Sequence, residues 1–140
     1  MNDLIEYIKQ WIIKADHDLG TAKVTYLHIP EFKDTVTFHC QQVVEKYLKA
    51  YLIFLGIEFK YTHDLVYLLD ILFQKDKNIK NFYDKASQLQ NYAVEVRYPN
   101  ETIFLTDEKV LDAINTSKKI REYVTSKMNI KINYNEIIDK

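Results

Sequence analysis

Residues 38–56, FHCQQVVEKYLKAYLIFLG, constrain the fold more than any other stretch. At roughly 100° per residue, Cys40, Val43, Val44, Tyr47, Leu48, Ala50, Tyr51, Phe54 and Leu55 sweep most of a helix's circumference. A helix apolar over so much of its surface must be covered on more than one side. One narrow polar strip interrupts it: Gln42, Glu45, Lys46 and Lys49, at helical spacing. Gly56 supplies the left-handed residue on which helices commonly stop. This segment is therefore expected to be the central helix of a bundle, with charged groups where apolar ones could have stood.

Amphipathic stretches lie on either side. Leu4, Ile8, Trp11, Ile12, Ala15, Leu19, Ala22 and Tyr26 recur at helical spacing, predicting a first helix from residue 2 or 3 to about residue 28. Asp18 sits at the edge of that stripe. Pro30 ends the helix, and Asp34 is the expected N-cap of the central one. Thr62 reads as the cap of a short third helix over residues 63–73, with Leu65, Leu68, Leu69 and Leu72 inward. QKDKNIKN reads as a charged, solvated connection. A fourth helix over residues 81–97 turns Phe82, Ala86, Leu89, Ala93 and Val96 inward and stops before Pro99, which cannot continue it. Thr106, followed by Asp107 and Glu108, marks the start of a fifth helix to about residue 128, with Val110, Leu111, Ile114, Ile120 and Val124 inward. The pattern leaves open whether residues 129–140 dock or fray.

These elements and the short links between them predict an all-α fold: an up-and-down antiparallel four-helix bundle with an additional short helix. Two glycines and two prolines in 140 residues fit long helices better than a turn-rich sheet fold. A formal net charge of −1 gives no electrostatic case for a nucleic-acid or membrane-surface protein as a whole. Cys40, the one cysteine, cannot form an internal disulfide and reads as a small buried hydrophobe. No stretch is long enough for a membrane span, and MNDLIEYIKQW lacks a signal-peptide core, so a cytoplasmic protein is expected.

Three polar features remain once the core is assigned: the strip on the central helix, Asp18, and Arg97. Arg97 falls within the arc of Phe82, Ala86, Leu89 and Ala93. Either it completes an ion pair inside the bundle with Asp18 or Glu45, or the same groups line a ligand site. His17, His28, His39 and His63 offer no HxxxH or HExxH spacing, so neither metal nor cofactor is expected. His63 reads as tightening the start of the third helix. There is no Gly-rich phosphate loop and no nucleophile elbow.

Four landmarks carry a resemblance. WIIKADHDLGTA at 11–22, FHCQQVVEKYLKAYL at 38–52, THDL at 62–65 and RYPN at 97–100 are similar, in order and spacing, to the HEPN domain family of bacteria and archaea. The resemblance covers about residues 3–128 and leaves 129–140 as a C-terminal tail. It implies a helical bundle that pairs into a homodimer, and association with minimal nucleotidyltransferases, sometimes as toxin and antitoxin. Many HEPN proteins are metal-independent endoribonucleases with an Arg-x4–6-His motif. In those the arginine steadies charge on phosphorus and the histidine moves protons.

Here the arginine matches as Arg97, but Thr102, Ile103 and Phe104 stand where the histidine should be. The RYPN form resembles the non-nuclease branch, for which nucleotide binding has been proposed by fold analogy. On that reading Arg97 engages phosphate, Lys46 and Lys49 are secondary cations, and Asp18, Gln42 and Glu45 orient the ligand. A ribonuclease with His63 or Tyr98 as its proton carrier, acting on RNA, is the alternative. A structural dimer with no small ligand is the third. The ligand reading requires these groups to line a hollow between helices.

Overall fold

A computed structural model describes residues 2–95 and 105–140. Among these the chain is all-helical: α1 (Asn2–His28), α2 (Lys33–Leu55), α3 (Leu65–Leu72), a 3₁₀ helix (Lys77–Phe82), α4 (Tyr83–Glu95) and α5 (Asp107–Met128). The helices pack as a bundle with α2 at its centre, touching α1, α3, α4 and α5. That is the position its nearly all-round apolar surface demands. Val36, Cys40, Val43, Val44, Tyr47, Leu48, Ala50 and Leu52 have no exposed surface. Burial pushes the Cys40 thiol up to about 12, so it is an inert core group. Gly56 caps α2 in the left-handed conformation, at φ 71°. The α1 stripe packs as expected, with Ile8, Ile12, Ala15, Leu19 and Ala22 fully buried.

Several helix boundaries differ from the sequence expectation, each for a local reason. Asp34 is not the cap of α2: Phe32 holds that place without a side-chain hydrogen bond, and Asp34 lies in the first turn. Its charge still favours the positive helix end. Asp64, not Thr62, caps α3, accepting from the amides of Val66 and Tyr67. Thr62 Oγ1 instead accepts from the Asp64 amide, bracing the cap. QKDKNIKN is exposed as expected except at Asp76 and Ile79, which anchor it. Asp76 caps the 3₁₀ helix and accepts from the hydroxyls of Tyr51 (2.7 Å) and Tyr123 (2.6 Å), while Ile79 is fully buried. Burial opposes a charge on Asp76, but those hydrogen bonds outweigh it and hold its pKa below the usual value. Leu111, expected inward, is 46 % exposed, and its neighbours Val110 and Ile114 fill the interior. Thr106 caps α5 as expected, its hydroxyl accepting from the Lys109 amide.

At the bundle's centre lies an ion pair that the hydrophobic pattern hides. Asp16 of α1 is fully buried and accepts from Arg121 Nε of α5 (2.9 Å) and from the Tyr47 hydroxyl of α2. Arg121 donates further to the Ile132 carbonyl (3.1 Å) and pairs with Asp139 (2.9 Å), both in residues 129–140. The tail therefore docks. Ile138 is buried against Gly20, where an added Cβ would stand 3.0 Å from the isoleucine side chain, and Lys23 Nζ donates to the Ile137 and Ile138 carbonyls at 2.9 Å. Only glycine gives the tail that close an approach.

Ile138→Ala should therefore cost about 2 kcal/mol, the low end for a buried isoleucine. Leu111→Ala should stay within about 0.5 kcal/mol, as surface changes do. Urea unfolding of the two variants checks this; equal costs would mean that the tail contributes nothing to the packing.

Candidate functional site: a charged seam between α1 and α2

The antiparallel approach of α1 and α2 decides which polar groups meet. Trp11 and Asp18, seven apart on α1, lie on one stripe facing α2. Reversed chain direction sets Lys49 opposite Trp11, and His39 with Lys46 opposite Asp18. Lys49 Nζ lies 5.8 Å from the centre of the Trp11 ring system and 5.6 Å from the Tyr61 ring. Both distances fall within cation–π range.

Two carboxylates organise the seam. Asp18 accepts from Lys46 Nζ with one oxygen and bonds His39 Nδ1 (2.8 Å) with the other. Its side chain keeps 13 % of its exposure, Lys46 22 % and His39 25 %, so this cluster opens to solvent. Burial works against the Asp18 charge, but the hydrogen bonds from His39 and Lys46, with their positive charge, hold its pKa below the ordinary carboxylate value.

Glu45 makes the second cluster, one turn along α2. It pairs with Lys49 (3.1 Å), and both side chains are almost wholly buried. Its other oxygen bonds His63 Nδ1 (2.8 Å) and accepts from Gln41 Nε2 (3.4 Å). Gln41 Nε2 also donates to the His63 carbonyl, and Gln42 Nε2 donates to Gln41 Oε1. An ionised carboxylate only accepts, so the proton of His63 sits on Nδ1. Its Nε2 lies 3.2 Å from the Tyr61 hydroxyl, on a side chain left more than half exposed. His63 thus fastens the 56–64 loop onto α2 and does not brace the start of α3, which was its expected role.

The structure brings six of the expected site residues onto one seam. Asp18 and Lys46 meet directly, as do Glu45, Lys49 and His63, and Gln42 reaches the second cluster through Gln41. Arg97 and Tyr98 lie outside the described residues. Glu45 and Lys49 close on each other in the interior, with almost no exposed surface. A large open cleft, about 840 Å³ and lined by Lys85, Tyr92, Lys109 and Asp112, lies between α4 and α5 and shares no residue with the seam. The sequence reading missed His39, Gln41, Trp11 and Tyr61 as members. The signal for His39 was present, since 39, 42, 46 and 49 share one helix face. Tyr61 gave no signal, because it stands in a loop. Among the described residues no group of three or more His, Cys, Asp or Glu side chains could hold a metal ion, and no helix is long and apolar enough to cross a membrane.

Comparison with known proteins places this bundle in a family. A HEPN domain profile matches residues 8–128. This chain belongs to the HEPN family. It is 30 % identical to a Methanocaldococcus jannaschii protein named "Putative toxin MJ1304", over 91 % of this chain and 94 % of that one. Among solved structures it resembles ST0689, an archaeal HEPN homologue, with a TM-score of 0.69 at 23 % identity, over 86 % of this chain and 97 % of that one. The latter likeness concerns the fold alone.

Because the folded pKa of Asp18 is depressed, its contribution to stability is fully present above about pH 4 and is lost as pH falls through the folded value. Asp18→Asn should cost about 1.5–3 kcal/mol at pH 7, the range for hydrogen bonds to a charged group. The gap between wild type and variant should narrow between pH 7 and pH 2, as the pH falls toward the depressed folded value. Urea midpoints at the two pH values test this, and a gap of constant size would show that Asp18 is not the titrating group.

Proposed function

We propose that this HEPN protein works without catalysis, as one half of a toxin–antitoxin-like pair that forms a homodimer, docks a minimal nucleotidyltransferase, and engages nucleotide phosphate through Arg97. The observation that carries this reading is the replacement of the family's histidine by Thr102, Ile103 or Phe104 after Arg97. None of those side chains can move a proton near neutral pH. The name of the archaeal relative supports the toxin–antitoxin setting.

The seam favours docking over ligand capture along α1 and α2. Its buried charges already have partners, so a small ligand would have to break the Glu45–Lys49 pair to use them. A protein partner needs only the rim: Lys46, Asp18, Gln42, His63 and the exposed Tyr61 ring. Aromatic side chains beside paired charges are what interface centres are built from.

In the test, a minimal nucleotidyltransferase is co-expressed from the same genome with the wild-type chain or Arg97→Ala. Wild type should co-purify with it. The variant should bind ATP at least tenfold more weakly than wild type while keeping its thermal transition. A variant that loses its thermal transition, yet binds normally when folded, would make Arg97 a structural ion-pair partner and overturn its role in binding.

One observation favours a second reading, a ribonuclease with His63 as proton carrier. Glu45 orients the imidazole through Nδ1, and Nε2 meets the Tyr61 hydroxyl on a side chain more than half exposed, an arrangement open to an oriented general base. Incubation of the pure protein with mixed RNA and chelator should give no cleavage under the first reading. Cleavage that is abolished by His63→Ala would establish the second.

A further inference from the structure

The seam shows how this protein treats charge: each buried carboxylate there is matched by a cation. One place breaks that pattern. A cleft of about 360 Å³ opens between α1, the C-terminal half of α5 and the docked tail, with Lys23, Lys118, Arg121, Glu122, Lys131 and Asp139 in its walls. Four cations there face two carboxylates.

Arg121 and Asp139 cancel, since they pair with each other at 2.9 Å. The remaining donors of Arg121 go inward to Asp16, Tyr47 and the Ile132 carbonyl. Three lysines are left against Glu122. Among the described residues none of the three has a carboxylate within ion-pair distance. Lys23 is fixed in the wall by two carbonyl oxygens, Ile137 O and Ile138 O, which leave the third of its three N–H donors uncommitted. Burial, then the positive charges of Lys118 and Arg121, lower its pKa, and the opposing pull of Asp139 does not offset them.

Converging lysines from α1, α5 and the tail raise the energy of the empty cleft, and a compact dianion would offset that repulsion. Asn133 and Asn135 in the same wall add neutral amide donors. The volume sits at the lower end of small-molecule sites, which begin at about 300 Å³.

We propose that this cleft binds a small phosphorylated anion, inorganic phosphate or a phosphomonoester, between Lys23, Lys118 and Lys131. The site is distinct from the α1–α2 seam and does not depend on the function proposed for it. Because Lys23 also holds the tail and Lys131 belongs to the tail, the bound anion would draw α1, α5 and the C-terminal segment together.

Isothermal titration with inorganic phosphate, and separately with glycerol 3-phosphate, tests this at constant ionic strength set by sodium chloride. The variant is Lys118→Ala combined with Lys131→Ala; both side chains are exposed, so the bundle should fold. Lys85→Ala, whose lysine pairs with Asp112 elsewhere, is the control. Wild type and the control should bind at least one probe, and the double variant should bind it at least tenfold more weakly. Binding of phosphate alone identifies the free anion, and binding of the ester alone identifies a phosphomonoester. No binding of either probe by wild type overturns the proposal. So does equal binding by the double variant.

Discussion

A carboxylate with no exposed surface is tolerable only when its charge is met, and Asp16 is met by Arg121 and Tyr47. The three side chains come from α1, α5 and α2, so their bonds fix how those helices sit around one another. Arg121 has donors left over, and the chain answers them with Asp139 and the Ile132 carbonyl. Residues 129–140 are thereby drawn onto the bundle. Tail docking and the close approach at Gly20 accompany one buried guanidinium whose remaining donors the tail meets. Burial opposes the charge on Arg121, yet the negative groups around it raise its pKa further, and it stays a cation.

The same rule separates the two polar regions at the surface. Along the seam, Asp18 and Glu45 each hold more than one donor, and the result is a pre-organised, charge-balanced face. Under the tail, four cations share a cleft with two carboxylates, and the result is a wall of net positive charge. A balanced face suits a macromolecular partner, which adds area without breaking pairs. An unbalanced cleft suits a small ion. The proposed docking at the first and the proposed anion binding at the second both start from these pairings.

Much of the fold was legible because it is written in apolar spacing. The α1 stripe, the central role of α2, the Gly56 stop and the Thr106 start all follow from residue type and interval. Asp16 and Arg121 were not read, although their positions gave them away. Asp16 falls four residues after Ile12 and three before Leu19, and Arg121 three before Val124, so both project into the buried arc. Apolar spacing alone does not mark a polar pair that is buried together. Thr62 and Asp64 are both able caps two residues apart, and only the backbone geometry decides between them. Of the site, the helical strip was visible as spacing, and Asp18 as the edge of a stripe. Tyr61 and the true engagement of His63 were not, since loop residues have no periodicity to place them.

The account rests on Asp16 and Arg121 acting as one unit, and a double-mutant cycle measures that directly. Asp16→Asn, Arg121→Met and the double variant would be unfolded in urea at pH 7. Each single change leaves one partner buried and unmatched and should cost about 3–5 kcal/mol. The double change removes both charges and should cost far less than the sum of the singles, giving a coupling energy of at least about 1.5 kcal/mol. Costs that simply add, with no coupling, would mean that the pair does not hold the helices in register and would contradict the account at its root.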